Sequence, residues 1–252
     1  MKETRILMGM PVTIEVVDPA VTEDLFDDVF AYFGYIDDKF STYKEDSEIS
    51  RINRGELKLG AASEDMRTIF ALAEQTRIET EGYFDILHEG AFDPSGVVKG
   101  WAIYNAASLL RKAGAQNFYI DAGGDVQMSG RNGEGEAWRV GIRNPFEPDE
   151  IVKALSLTDR GVATSGTYAR GNHIYNPIDA DDPLSEIVSL TVIGPDVLEA
   201  DRFATAAFAM GRQGIFFIQS LQGFEGYMID QDQRATYTTG FPRYLLHDQI
   251  HR

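Results

Sequence analysis

Residues 200–211 have the sequence ADRFATAAFAMG, in which a carboxylate, Asp201, and a hydroxyl, Thr205, are four positions apart. In an α-helix this spacing places both side chains on one face, one turn apart. The other residues of the stretch are mostly small or apolar, so we expect that face to point into the fold. A buried carboxylate requires a cation or several hydrogen-bond donors.

The stretch therefore predicts a buried helix with a candidate metal site at Asp201 and Thr205. Both residues offer hard oxygen donors, and Mg²⁺ is the ion that such donors suit when phosphates complete its coordination. The alternative is that Asp201 accepts a hydrogen bond from a nearby strand and Thr205 bonds back to a carbonyl of its own helix.

Apolar residues at helical spacing predict three helices in the first half of the chain, over residues 18–36, 63–82 and 93–114. We expect Asp18 to cap the first of them. The second half consists mostly of strands and tight turns, including a hairpin over residues 154–165. Because helices and strands do not alternate regularly, an α+β fold is favoured over a doubly wound sheet.

Composition narrows the class of protein. The 252 residues include 23 Lys and Arg against 40 Asp and Glu, a net charge of −17, which argues against nucleic acid or an anionic membrane as a partner. The absence of Cys excludes disulfides, thiolate nucleophiles and Cys-ligated metals. No run approaches the length of a membrane span, and no apolar leader or lipobox Cys is readable. We expect a cytoplasmic protein from the sequence as given, or an exported one if a leader was removed.

Three further segments carry candidate chemistry. The helix start at residues 93–100 has Lys99 in its first turn and suits a phosphate, or it is a capped helix with a solvated lysine. The two glycines within residues 121–125 permit close approach of a ligand, or they form a tight turn. His173 is a candidate general base, or a packed or surface residue.

Taken together and in order, several motifs resemble those of the ApbE family of FAD:protein FMN transferases. They lie at residues 8–10, 41–43, 47–53, 82–85, 99–100, 121–125, 138–145, 163–166, 173–177 and 200–211. The resemblance implies a single ApbE-like domain over residues 1–252, T-fold-like, with mixed or antiparallel sheets flanked by helices. Two subdomains with the site between them are compatible with it.

The resemblance also implies an activity: Mg²⁺-dependent transfer of FMN from FAD to a Thr side chain of a target flavoprotein, with release of AMP. It implies roles for individual residues. Asp201, Thr205 and the backbone carbonyl of Val98 would bind the metal; Met8 and Tyr43 would contact the flavin; Asp93 and Lys99 would lie near the adenosine and diphosphate; Thr164, Ser165 and Gly166 would line the pocket; and His173 would activate the acceptor Thr, with Asp201 as the second catalytic residue.

Three features depart from the family pattern. The chain is very short between Asp85 and Asp93, where full-length relatives carry a long insertion with a Trp-Gly-Phe-Gly-like loop. Asn176 stands where the family usually has Asp, which keeps hydrogen bonding but loses the charge. Arg202 replaces a small residue, and we expect its charge to pair with a phosphate. Two alternatives to transfer follow: a Mg²⁺-dependent FAD pyrophosphatase that yields FMN and AMP, and a non-catalytic flavin-binding protein.

Overall fold

The computed structural model describes residues 1–19, 21–167, 174–179 and 183–246. Six α-helices lie in these ranges: α1 (Glu23–Phe40), α2 (Glu48–Asn53), α3 (Glu64–Glu79), α4 (Ser95–Lys112), α5 (Val197–Ala209) and α6 (Gly214–Ser220). None of the helices in the described part of the chain has both the length and the apolar character needed to cross a bilayer.

The strands form one large sheet and two small ones. They are β1 (Lys2–Leu7), β2 (Met10–Val16), β3 (Leu87–His88), β4 (Ala91–Phe92), β5 (Phe118–Ala122), β6 (Asp125–Ser129), β7 (Trp138–Arg143), β8 (Ile151–Leu157), β9 (Gly161–Gly166), β10 (Ile187–Gly194), β11 (Glu225–Asp230) and β12 (Ala235–Tyr237). The large sheet has eight strands in the order β1-β2-β5-β6-β9-β10-β11-β12, and its neighbours pair antiparallel. Helices flanking a mainly antiparallel sheet confirm the predicted α+β class.

The predicted hairpin over residues 154–165 is wrong. β8 pairs with β7 in a separate two-stranded sheet, whereas β9 lies in the large sheet between β6 and β10. Almost every residue of β9 is buried, whereas β8 is more exposed at its start. A strand that is buried on both faces requires a packed layer on each face. On β9, Ala163 packs with side chains of α5, and Val162 packs with side chains of the β7–β8 sheet.

The predicted cap of the first helix is also wrong. Thr22 is the N-cap of α1, and its side chain accepts a hydrogen bond from the backbone N–H of Leu25. The carboxylate of Asp18 instead accepts from the backbone N–H groups of Gln116 and Asn117, at 2.9 and 2.7 Å. Asp18 thus joins the end of β2 to the start of β5, a non-local contact that local capping rules do not predict.

Two packed layers place the helices against the sheet. Side chains of α1, α3 and α4 share one apolar core with β2 and β5, and α5 and α6 share a second with β9, β10 and β11. The two cores meet where α4 packs against α5. A third cluster lies between the β7–β8 sheet and strands β6, β9, β10 and β11 of the large sheet. The α4–α5 contact is the feature that assembles the site.

Candidate functional site

Helices α4 and α5 approach each other through two glycines. A Cβ atom at Gly100 would lie 2.7 Å from the Cβ of Asp201, and one at Gly96 would lie 3.1 Å from the Cγ2 of Thr205. Gly96 and Gly100 are four positions apart on α4, as Thr205 and Asp201 are on α5. The predicted Asp201–Thr205 face therefore packs against a glycine face, and the absence of side chains on α4 permits the close approach.

Asp201 is buried in this contact, with 4% of its surface exposed. Its Oδ2 accepts a hydrogen bond from the backbone N–H of Gly100 at 2.7 Å, and its Oδ1 lies 4.0 Å from the Nζ of Lys99. Burial raises the pKa of the Asp201 carboxyl above its usual range; the Lys99 ammonium opposes the shift, and the neighbouring Asp125 carboxylate adds to it. The predicted burial of this face is confirmed, and the hydrogen-bond donor is a helix rather than a strand.

Lys99 forms its closest ion pair with Asp125, whose Oδ2 lies 2.5 Å from the lysine Nζ. Asp125 is buried at the start of β6, and its Oδ1 accepts a hydrogen bond from the backbone N–H of Thr164 on β9 at 3.0 Å. The pair thus joins α4 to two neighbouring strands. The reading of Lys99 as a solvated side chain is excluded, because only 17% of its side chain is exposed.

These charges lie in a cavity of about 650 Å³. Its wall includes seven residues singled out in the sequence: Asp93, Lys99, Thr164, Ser165, Gly166, Asp201 and Thr205. The fold thus brings together residues that are more than 100 positions apart in the chain. A volume of this size is typical of a pocket for a small molecule or cofactor.

The turn between β5 and β6 contributes to the same wall. Gly123 and Gly124 have positive φ values of 62° and 98°, and a Cβ at Gly123 would lie 2.7 Å from the Sδ of Met10. The side chain of Asp121 accepts a hydrogen bond from the N–H of Gly124 at 2.8 Å. The segment is therefore a tight turn, and it also lines the cavity, whereas the close approach of a ligand stays a prediction.

Of the other predicted site residues, three lie outside the cavity wall and one falls outside the described residues. Met8 lies in the turn between β1 and β2 and is not part of the cavity wall, which the next residues, Gly9 and Met10, do line. Tyr43 is 97% exposed and does not line the cavity. Val98 is buried in the core on α4, between the lining residues of that helix. His173 lies outside the described residues.

Two of the departures from the family pattern have structural roles. Arg202 is buried and pairs with Glu79, and with Glu199 at 2.6 Å, so it joins α3 to α5 and does not line the cavity. The expected pairing with a phosphate is therefore not the role of this side chain. The Oδ1 of Asn176 accepts hydrogen bonds from the N–H groups of Ile178 and Asp179, at 3.0 and 3.2 Å, which forms a local turn.

The donors around Asp201 fit a divalent cation. Two buried carboxylates, Asp125 and Asp201, face the single ammonium group of Lys99, so the floor of the cavity carries an excess of negative charge. No group of three His, Cys, Asp or Glu side chains within the described ranges forms a metal cluster. A cation would therefore depend on mixed oxygen donors: the carboxylate of Asp201, the hydroxyl of Thr205 and oxygens from the backbone or a ligand.

The sequence interpretation missed Asp125, Asp121 and Tyr175 as parts of the cavity wall. The signal for the first two was available, since both flank the double glycine at the end of a strand, where side chains reach a site. The signal for the glycine face of α4 was the spacing of Gly96 and Gly100. Neither the double-glycine pattern nor the glycine spacing shows which residues pack against it, because those residues lie on elements distant in the chain.

Comparison with known proteins gives a consistent result. The model of the ApbE family matches residues 8–92 and 88–228. A curated relative from Klebsiella pneumoniae (strain 342), named FAD:protein FMN transferase, is 30% identical over 161 residues, which cover 60% of this chain and 46% of the relative. The chain thus spans about half the length of the curated relatives that it first matches.

A second relative with the same name, from Haemophilus influenzae, is 23% identical over 305 aligned positions that cover 90% of this chain and 87% of the relative. The aligned region is longer than the whole of this chain, so the relative carries segments that this chain lacks. The division of the family match at residues 88–92 agrees with a missing segment between Asp85 and Asp93.

The fold has close counterparts among solved structures. The flavin transferase ApbE from Vibrio cholerae superposes with a TM-score of 0.85 at 22% identity, covering 97% of this chain and 99% of that one. The similarity supports the fold alone at this level of identity. Because the family model covers most of the residues from 8 to 228, including the cavity wall, this chain belongs to the ApbE family.

Proposed function

We propose that this protein transfers FMN from FAD to a threonine hydroxyl of an acceptor flavoprotein, with release of AMP. The observation that carries the proposal is the floor of the cavity, where Lys99, Asp125 and Asp201 meet beside the first turn of α4. The name FAD:protein FMN transferase borne by the curated relatives supports the same reaction.

The diphosphate of FAD fits this floor once a cation is bound there, because Asp125 already balances the charge of Lys99. The N-terminus of α4, which begins at Ser95, presents partial positive charge and favours a phosphate. The Gly123–Gly124 turn, which also lines the cavity, leaves its backbone accessible to the ligand. Asp93 lies at the start of the same helix, where its Oδ1 accepts from the N–H of Ser95 at 3.0 Å.

Mg²⁺ is the ion that we assign to the donors at Asp201 and Thr205, with the backbone carbonyl of Val98 as the third protein ligand. When bound, it would neutralise charge on the diphosphate. Thr205 already directs its hydroxyl toward the backbone oxygen of Gly96, at 3.5 Å, so its oxygen lies at the α4–α5 contact. Lys99 balances one of the two buried carboxylates and leaves the other available to a cation.

In the reaction, the acceptor threonine oxygen forms a bond to the phosphorus of the FMN moiety, and the bond from that phosphorus to the bridging oxygen breaks. AMP leaves with the bridging oxygen and the electron pair. The threonine proton passes to a base, and His173 is our sequence-based candidate for it. The residues of the wall act chiefly by holding the two reacting groups in line.

The proposal is tested by incubating the protein with FAD, Mg²⁺ and an acceptor flavoprotein that carries a threonine in a flavinylation motif. Mass spectrometry should detect the addition of FMN to that threonine, and chelation of the metal should prevent it. Accumulation of free FMN and AMP without modified acceptor would identify a pyrophosphatase instead. Binding of FAD without either product would identify a flavin-binding protein.

Asp201→Asn should lower turnover on the order of 100-fold, because the neutral amide binds the metal weakly and leaves the diphosphate charge uncompensated. The amide oxygen can still accept from the N–H of Gly100, so the variant should fold. Asp232→Asn, which changes an exposed carboxylate in the β11–β12 turn, is the control and should retain wild-type turnover. Wild-type turnover by the Asp201 variant would contradict the assigned role.

A further inference from the structure

A short hairpin, formed by β3 and β4, occupies the position where the family match divides. Strands β3 and β4 pair Leu87 with Phe92 and His88 with Ala91. The two residues between them, Glu89 and Gly90, have φ values of 52° and 83°. Positive φ at both central positions is the geometry of the tightest hairpin turns. The segment is thus a compact β-hairpin.

The hairpin is fixed to the body of the protein at its base and along β4. The side-chain amide of Asn53 donates to the carbonyl of Phe92 at 2.9 Å and accepts from its N–H at 2.8 Å. The ring of Phe92 packs edge-on against Phe70, with 4.9 Å between centroids. The carboxylate of Asp85 accepts from the N–H of Leu87 at 2.9 Å. These contacts fix β4 and the base of the hairpin, so the residues of β3 are held in place for contacts with other parts of the protein.

The other strand contacts the cavity wall. The imidazole of His88 stacks on the ring of Tyr175, with centroids 3.8 Å apart and planes inclined by 19°. The hydroxyl of Tyr175 donates to the backbone carbonyl of Asp85 at 2.5 Å, at the base of the same hairpin. Tyr175 therefore meets the hairpin twice, once through its ring and once through its hydroxyl.

Tyr175 itself lines the cavity, as do its neighbours Ile174 and Pro177. Asp85 and Asp93, at the two ends of the hairpin segment, line it as well. The stack thus connects two parts of one wall that are about 90 residues apart in the chain. Among the described residues, His88 is not part of the cavity wall, and its ring contacts that wall through Tyr175.

We propose that His88 is a positioning residue that acts through Tyr175 and sets the affinity of the cavity for FAD. The proposal rests on the proposed function, since FAD is the ligand that it concerns. The ring of His88 holds the Tyr175 wall in its ligand-ready position. His88 does not touch the reacting atoms, so the turnover of the bound complex depends little on it.

The kinetic test compares His88→Ala with His88→Phe. Loss of one stacked ring pair should raise the KM for FAD about 3-fold to 10-fold and leave kcat within about 2-fold. The phenylalanine variant restores an aromatic surface and should return KM to within about 2-fold of wild type. Tyr237→Ala is the matched control, because Tyr237 is a half-exposed ring stacked on Tyr227 and neither ring lines the cavity.

A binding and NMR test is independent of turnover. Titration of FAD, followed by flavin fluorescence, should show the same loss of affinity for His88→Ala. The imidazole C–H resonance of His88, assigned from the His88→Ala spectrum, should move downfield in Tyr175→Leu because the ring current of Tyr175 is lost.

The outcomes separate the two proposals. A wild-type protein that neither binds nor turns over FAD would overturn the proposed function and this inference with it. Suppose that the wild-type protein binds FAD and turns it over, and that His88→Ala has the same KM and affinity for FAD. This result would overturn the positioning role alone. A variant that loses kcat rather than affinity, or that His88→Phe does not rescue, would also overturn it.

Discussion

Buried charge at single residues shapes the cavity. Asp125 and Asp201 are almost inaccessible to water, and a carboxylate in such a place is tolerated only with partners. Lys99 pairs closely with the first and remains 4.0 Å from the second, which relies on one backbone N–H for its hydrogen bond. This imbalance is the reason that we propose Asp201, rather than Asp125, as the ligand of a cation.

A substitution at Asp121 tests how a buried carboxylate changes the free energy of unfolding. The test does not require a bound metal. Burial raises the pKa of its carboxyl; Asp125 adds to the shift, whereas the N–H of Gly124, Arg143 and Lys99 oppose it. The folded protein thus binds this proton more tightly than the unfolded chain does. The ionised carboxylate lowers the free energy of unfolding at neutral and alkaline pH, and this cost disappears as the pH falls through the folded-state pKa.

We therefore expect Asp121→Asn to raise the free energy of unfolding at about pH 8 and to have a smaller effect at about pH 4, near the ordinary pKa of an aspartate. The amide oxygen keeps the hydrogen bond from Gly124. Urea unfolding at the two pH values measures the difference, with the exposed Asp28→Asn as the control for net charge. A variant that is less stable than wild type at about pH 8 would show that the interactions of the ionised form outweigh its burial.

Between elements, the glycine face of α4 decides how closely the two central helices pack. Sequence spacing correctly predicted that Asp201 and Thr205 share one face of a helix. It did not predict that Gly96 and Gly100 form the opposing surface, because the sequence of one helix does not show which other helix packs against it. The same limit explains the incorrect hairpin, since β8 and β9 are adjacent in the chain but pair with other strands.

Gly100→Ala should lower the free energy of unfolding by about 1–3 kcal/mol, the usual cost of overpacking a close contact. Its Cβ would lie 2.7 Å from the Cβ of Asp201 and 2.9 Å from the carbonyl oxygen of Val197. The displaced carboxylate should also lower FMN transfer. Denaturant unfolding and turnover of the same preparation measure the two effects.

Gly34→Ala provides the matched control. Gly34 lies in the middle of α1, and a Cβ there would meet no atom within 4 Å. Alanine has the higher helix propensity, so this variant should gain up to about 1 kcal/mol and keep full activity. If the two substitutions changed stability by similar amounts, the close approach at Gly100 would not be the cause.

For the molecule as a whole, the cavity lies where the apolar cores of the two halves meet. Residues from Gly9 to Val126 form one part of its wall, and residues from Val140 to Ala209 form the other. The helix contact between α4 and α5 and the ion pair of Arg202 with Glu79 also cross between the halves. One domain over residues 1–252 stays a prediction, which a measurement of the cooperativity of unfolding would test.

We expect a single thermal unfolding transition that FAD with Mg²⁺ moves upward as a unit. A ligand at about 100 times its Kd stabilises the folded state by about 2.7 kcal/mol. Because a ligand in the cavity would contact both parts of the wall, both should gain protection in hydrogen exchange. Differential scanning calorimetry with and without ligand measures the transition. Two transitions, of which the ligand shifts one, would instead establish two subdomains.

Local features of the fold followed from the sequence alone. Ser63 caps α3 through a hydrogen bond from the N–H of Met66, and Gly114 follows α4 with a φ of 94°, both as local rules predict. The identity of the Asp201–Thr205 face and its burial were predictable for the same reason, since helical periodicity depends only on nearby residues.

Only the tertiary structure decided which distant groups meet. The pairing of Lys99 with Asp125, the contact of Asp201 with Gly100 and the stacking of His88 on Tyr175 all join segments far apart in the chain. Each depends on the strand order and on the packing of α4 against α5. Those are properties of the whole chain, because the free energy of a non-local contact is realised only when the core that brings its partners together has formed.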